Sequence, residues 1–320
     1  MADAMRSKDV DADARAALLL TAGLTLARLI ALFRTPLELY PDEAQYWLWS
    51  RIPAFGYYSK PPMVAWAIWA STAFGGDAEP WVRLPAVLFQ GAATLLVFQI
   101  ARRLYGSRTA LAAAALYALT PAIQLSATVV ATDSPLLAFI GLSIWAYAAL
   151  QGSQGRKRLL LAAGLGAALG LAFLSKYAAV YVLIGIGLHL GLSPAARRAW
   201  SPAAAALAAG TFLLVLGPNL AWNATHGFAT LQHTAAAANW TGRRLFNPGE
   251  LGEFLASQFA AFGPIPFAVL IVGAALLAWR RRLEPADVLL LCFTLPPVAI
   301  VAVQAFVSRA HANWSGASYL

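Results

Sequence analysis

Charge is scarce in this 320-residue sequence: 12% of residues are Asp, Glu, Lys or Arg, while 60% are hydrophobic and mean hydropathy is +0.64. Soluble domains are ordinarily about 45–50% apolar and about 25% charged, so a water-soluble globule is excluded. Cysteine is scarcer still. Cys292 stands alone in an apolar run, which rules out an intrachain disulfide or a thiolate cluster and leaves the redox compartment open. No internal repeat of fixed period, no low-complexity tract beyond Ala-rich stretches and no soluble domain can be found. The first fifteen residues mix Asp3, Asp9, Asp11 and Asp13 with Arg6, Lys8 and Arg15. They lack the basic start and cleavage site of a secretory signal, so the first apolar segment is expected to be retained.

What remains is a series of apolar runs separated by short charged or Pro/Gly-rich breaks. Crossing the hydrocarbon core takes about 20 mostly apolar residues. By that measure the sequence predicts an all-α polytopic membrane protein, with about nine spans near 16–34, 82–101, 109–127, 133–150, 159–174, 177–192, 203–222, 255–279 and 287–307. Residues 1–15 form a cytoplasmic tail in this reading and 16–320 one membrane domain. The net charge of +9 does not require nucleic acid, because the cations cluster at helix ends. With the N-terminus inside, every inward loop is basic: Arg102, Arg103 and Arg108; Arg156, Lys157 and Arg158; Arg197 and Arg198; Arg280, Arg281 and Arg282.

The outward loops differ in kind. Two are long, near 35–81 and 223–254, and the first is expected to hold interfacial helices. Lys60, Lys176, Arg243 and Arg244 break the positive-inside bias there, and binding an anion would explain them. The chain stops in Arg309-Ala-His-Ala-Asn-Trp314 and six further residues, which read as an outer loop leading into another helix, so a C-terminal truncation is expected.

Pro41-Asp-Glu43 reads as a helix start followed by the aromatic segment Ala44–Trp49. Asp42 and Glu43 would then lie at the membrane surface, where a helix N-terminus favours an ionised carboxylate, as a general base requires. Helix capping is the plain alternative for Asp42 and for Asp133 of Thr132-Asp-Ser-Pro135. In Gly56-Tyr-Tyr-Ser-Lys-Pro-Pro62 the rigid Pro-Pro would hold Lys60 at the surface, where an ammonium can meet a phosphate. Lys176 either snorkels to the headgroups or lines a polar cavity. Arg243 and Arg244 contact phosphate from a covering loop or form a solvated basic loop. His226 and His233, seven apart, would share a face if helical, but no carboxylate lies at metal spacing. The tryptophans Trp47, Trp49, Trp66, Trp69 and Trp81 suit an interfacial belt.

Pro-Asp-Glu-Ala-Gln-Tyr-Trp47, Gly56-Tyr-Tyr-Ser-Lys-Pro-Pro-Met63, Trp81-Val-Arg-Leu-Pro85, Thr-Asp-Ser-Pro135, Phe173-Leu-Ser-Lys-Tyr177, Asn219-Leu-Ala-Trp-Asn-Ala-Thr-His-Gly-Phe228 and His311-Ala-Asn-Trp314 follow one another in order. This ordered set resembles the family 39 glycosyltransferases. They are membrane proteins of the GT-C group, related to protein O-mannosyltransferases and to lipid A aminoarabinose transferases. The resemblance runs from about Ala16 to Leu320.

The resemblance implies an inverting transfer from a polyprenyl-phosphate sugar at the outer, periplasmic face of a bacterial inner membrane. The acceptor would be lipid A, another glycolipid, a glycan or protein. It implies Asp42 as base with Glu43 beside it, and Lys60 and Asp133 organising the carrier phosphate. Lys176, Arg243, Arg244 and Tyr57 complete the expected donor contacts. Because Asp133 and a phosphate repel, Asp133 is expected to orient Lys60 or another cation. Ser59 stands where some relatives have an acidic metal ligand, so a divalent metal site is doubtful and no cofactor is required. Gln45 replaces a cation found in aminoarabinose transferases, which weakens an inference to lipid A phosphate. The competing functions are a lipid-linked sugar flippase, which would scatter charges at midplane depth, and a non-catalytic scaffold.

Overall fold

A computed structural model describes residues 2–238, 246–280 and 283–320, and among them the regular structure is entirely helical. In chain order, α1 (Ala2–Leu32) leads to α2 (Pro41–Ser50) and α3 (Met63–Gly75), which occupy the first long outer loop. Then come α4 (Glu79–Tyr105), α5 (Ser107–Leu119), α6 (Pro121–Ser126), α7 (Asp133–Gln151) and α8 (Gly155–Ser175). After a 3-10 turn at Tyr177–Ala179, α9 (Val180–Leu192), α10 (Pro194–Arg198) and α11 (Pro202–Thr225) follow. The remainder comprises α12 (Ala229–Ala237), α13 (Pro248–Phe262), α14 (Pro264–Ala268), a π-helical turn at Val269–Gly273, α15 (Ala274–Trp279), α16 (Pro285–Val307) and a 3-10 segment at Ala312–Tyr319.

Six helices are long and apolar enough to cross a membrane: Ala12–Leu32, Glu79–Tyr105, Asp133–Gln151, Gly155–Ser175, Pro202–Thr225 and Pro285–Val307. Each coincides with an expected span. The other three expectations need correction or shortening. The 177–192 span is a shorter apolar helix. The 109–127 run is two helices, because Pro121 lacks an N–H and holds Thr120 extended at φ −57°, ψ 131°. The 255–279 run breaks at Gly263, whose φ of 94° suits glycine, immediately before Pro264. At the first break, the Arg28 guanidinium (2.9 Å) and the Gln124 amide (2.8 Å) donate to the Ala118 carbonyl left without its helical partner.

Burial of apolar surface does not drive helices together inside lipid, so close packing and interhelical hydrogen bonds must do so. Small residues let α8 approach α11: a Cβ on Gly166 would sit 2.1 Å from the Ala208 carbonyl oxygen, and one on Gly170 would sit 2.6 Å from Val215. Thr211 donates across the same interface to the Ala163 carbonyl at 3.0 Å. α7 packs between α4 and α8, α1 lies against α4 and α5, and α16 lies against α9. The outward faces carry exposed Leu19, Leu214 and Val303, as a lipid-facing surface should. Arg103 donates to the Ala148 carbonyl and Tyr105 to Asp287, joining α4, α7 and α16 at the basic end. Successive spans reverse direction, so α2, α3, the turn before Asp133 and the turn at Lys176 gather at the other end.

Candidate active site

Pro41 starts α2, leaving Asp42 exposed in the first turn. Glu43, one residue on, is fully buried. Its carboxylate accepts from Arg83 Nε (2.9 Å) and Nη2 (2.7 Å), from the Tyr40 N–H (3.0 Å) and from the Val130 N–H (2.9 Å). Arg83 spends its remaining donors on the Leu37 and Glu38 carbonyls at 2.9 and 2.8 Å. Glu43 thus ties α2 to α4 and to the turn that carries Asp133. The expectation that it joins the chemistry is corrected on this ground: every contact of its carboxylate is internal, and no face of it is open to a substrate.

Asp133 opens α7 and accepts from Lys176 Nζ at 2.8 Å, with about a fifth of each side chain exposed. Asn313 reaches its other oxygen at 3.4 Å. Lys176 sits in extended backbone between α8 and the following 3-10 turn, so it lines the polar end of the bundle, and the cation that Asp133 holds is this one. Lys60 is half-buried. Burial first and the nearby Lys176 second push its ammonium below the ordinary lysine range, against the opposing pull of Asp42 and Asp133. Two lysines and two aspartates therefore share one electrostatic field. Tyr46, packed beside them, is held protonated by burial and by both aspartates.

The Tyr57 hydroxyl faces the Trp49 and Ile52 carbonyls at 3.0 and 3.2 Å, accepts from the Ala54 N–H at 3.1 Å, and its ring stacks on Trp49 at 4.8 Å. Those contacts leave its hydroxyl engaged with the loop, which corrects the expectation of a substrate contact. Arg243 and Arg244 lie outside the described residues. His226 stacks on Trp222 at 4.1 Å and His233 lies 5.3 Å from Tyr58, on separate helices, because Phe228 turns left-handed at φ 56° between α11 and α12. Among the described residues no group of three His, Cys, Asp or Glu side chains converges.

Beside Asp133 opens a cavity of about 740 Å³. Ile123, Leu125, Val129, Leu137 and Ala261 make it apolar, while Asp133, Asn313, Ser257 and Tyr319 place polar groups on its wall. The two broken runs border it, α6 starting and α13 ending there. Burial mainly, with Asp133 adding, pushes the Tyr319 phenol up to about 12. An apolar slot leading to paired charges suits a long-chain lipid phosphate. Arg83, Tyr177, Asn219 and Asn223 support this arrangement and were not singled out by sequence reasoning. The available signal was an arginine opening an apolar helix and two asparagines four apart on another.

This architecture is that of the GT-C membrane glycosyltransferases. The structure of ArnT from Cupriavidus metallidurans bound to undecaprenyl phosphate matches with a TM-score of 0.71 at 18% identity, over 94% of this chain and 57% of that one. Residues 59–222, half of the chain, match the family described as dolichyl-phosphate-mannose-protein mannosyltransferase, and the chain belongs to that family. It is 37% identical over 314 residues to the lipid A galacturonosyltransferase RgtD of Rhizobium johnstonii, covering 96% of this chain and 63% of that protein. It is 28% identical over 283 residues to an undecaprenyl phosphate-alpha-4-amino-4-deoxy-L-arabinose arabinosyl transferase of Pseudomonas fluorescens, covering 80% and 47%. The chain thus spans about half to two thirds of the length of these relatives.

Proposed function

We propose that this integral membrane protein transfers a sugar from a polyprenyl-phosphate donor to lipid A at the periplasmic face of a bacterial inner membrane. One observation carries the reading: Asp42, Lys60 and the Lys176–Asp133 pair meet at a single end of the bundle, beside an apolar slot. The similarity to a lipid A galacturonosyltransferase makes a uronic acid the proposed sugar and lipid A the proposed acceptor.

In this reading Asp42 accepts the proton of an acceptor hydroxyl as that oxygen attacks the anomeric carbon. The bond from that carbon to the phosphate oxygen breaks, and polyprenyl phosphate leaves with inversion. Lys60 and Lys176 face the charge that grows on the departing phosphate, and Asp133 aims Lys176. Glu43 positions Asp42 by fixing the start of α2. Arg243 and Arg244 are proposed to add to the phosphate contacts. A flippase would place its charges along a passage at midplane depth, whereas these cluster at one end.

The test is transfer of labelled sugar from polyprenyl-phosphate galacturonic acid to purified lipid A, with wild type and Asp42→Asn side by side and donor binding followed in parallel. Transfer by wild type, loss of roughly 100-fold or more in Asp42→Asn and unchanged donor binding are expected. Donor binding without transfer by the wild type to any acceptor in a membrane extract would replace this reading with the flippase.

A further inference from the structure

The loop that delivers Lys60 is held from outside by buried polar groups that none of the charges touches. Asn219 of α11 donates to the Phe55 carbonyl at 2.6 Å, and Thr230 of α12 donates to the Tyr57 carbonyl at 2.5 Å. Gly56 lies between them, so close to α11 that a Cβ would come within 2.3 Å of the Trp222 ring. The Tyr57 N–H then closes the turn on the Lys60 carbonyl at 3.1 Å. Asn219, Asn223 and Thr230 are fully buried, where an unmet polar group is costly.

The same network reaches the second lysine. Tyr177, next in sequence after Lys176, donates its hydroxyl to Asn219 Oδ1 at 2.9 Å and accepts from Asn223 Nδ2 at 3.1 Å. Asn223 in turn donates to the Asn219 carbonyl at 3.0 Å, one helical turn back. Asn219 therefore grips the Lys60 loop with its amide nitrogen and the Lys176 turn with its amide oxygen. Two lysines more than a hundred residues apart in sequence are referred to one side chain.

Resting on the transferase reading, we infer that Asn219, with Tyr177, Asn223 and Thr230, forms a positioning device that sets the separation of Lys60 and Lys176 so that both act on one phosphate. A doubly charged leaving phosphate is stabilised best by two cations already in place, because their approach then costs nothing during the reaction. A lysine stem has four rotatable carbons and cannot supply that order itself.

Tyr177→Phe and Thr230→Val each delete one hydroxyl with little change of shape, and Thr230→Ser restores the second. Two readouts separate positioning from mere stability. The first is pH-dependent competitive acetylation of Lys60 in the purified full chain, which requires no turnover. Loosening the loop frees Lys60 from burial and from Lys176, so its acetylation profile moves to higher pH in Tyr177→Phe and Thr230→Val but not in Thr230→Ser. The second is donor turnover, in which kcat falls on the order of tenfold or more in the same two variants while the KM for acceptor holds. Unchanged acetylation profiles in both variants overturn the inference, and so does a shifted profile with unchanged kcat. If wild type transfers no sugar, the transferase reading fails by itself, while the acetylation profiles still decide whether the network holds Lys60.

Discussion

Glu43 and Arg83 form an ion pair from α2 to α4 in which the carboxylate is fully buried and the guanidinium side chain is 3% exposed. Two charges removed from water offset their desolvation only while each is fully met, and here both are: the carboxylate also accepts two backbone N–H groups, and the guanidinium also donates to two carbonyls. Removing either partner strands the other. Arg83→Ala and Glu43→Ala should each lower stability by about 3–5 kcal/mol. The double variant should lose less than the sum, because neither charge is then left alone. Unfolding in detergent across the four proteins of this cycle measures the coupling, and additive losses would mean that the pair does not hold α2.

The pH dependence of transfer follows from the field around Lys60. Turnover that needs a charged Lys60 falls as pH rises through its pKa, which burial and Lys176 lower and which Asp42 and Asp133 raise. Lys176→Met removes a lowering influence, so the alkaline limb of the rate profile should move to higher pH. Asp133→Asn removes a raising influence, so the limb should move to lower pH. Rate profiles of the two variants, displaced in opposite directions from wild type, are the expected result, and a common displacement would assign the limb to another group.

Gly56→Ala should be far more harmful than its size suggests. The added methyl meets the Trp222 ring at 2.3 Å, and the ring is itself stacked on His226 at 4.1 Å, so the loop rather than the ring has to give. Overpacking of this kind costs about 1–3 kcal/mol. It would also displace Lys60, so transfer should drop further than the loss of folded protein explains. Trp222→Leu in the same chain should restore part of the activity, and an equal loss in single and double variants would show that the collision is not the cause.

Six spans were legible because each is a long apolar run with charged or Pro/Gly-rich ends, and Pro41 announced α2. The breaks at Pro121 and Gly263 were also written in the sequence, yet apolarity runs straight through both and concealed them. Asp42, Lys60, Asp133 and Lys176 stood out as charges in outer loops of a chain poor in charge. Their sorting did not. Glu43 differs from Asp42 only in which neighbour it meets, and Arg83 lies 40 residues further along. Tyr177, Asn219 and Thr230 resemble ordinary polar residues near helix ends until the fold brings the Lys60 loop between them.

Filling the cavity beside Asp133 tests what enters it without touching the charges. Ala261 stands on its wall near the end of α13, opposite Ile123 and Leu125 of α6, and is only half-buried, so a larger side chain there projects into space and not into packed neighbours. Ala261→Trp should leave folding and the Lys176–Asp133 pair intact while excluding an isoprenoid from the slot. Donor affinity, read with labelled polyprenyl phosphate, should weaken about tenfold or more, since several methylenes each worth about 0.8 kcal/mol of burial lose their place. A short-chain donor that does not reach the slot should bind wild type and variant alike. If the long donor also binds both equally, the hydrocarbon lies elsewhere and the cavity serves the acceptor.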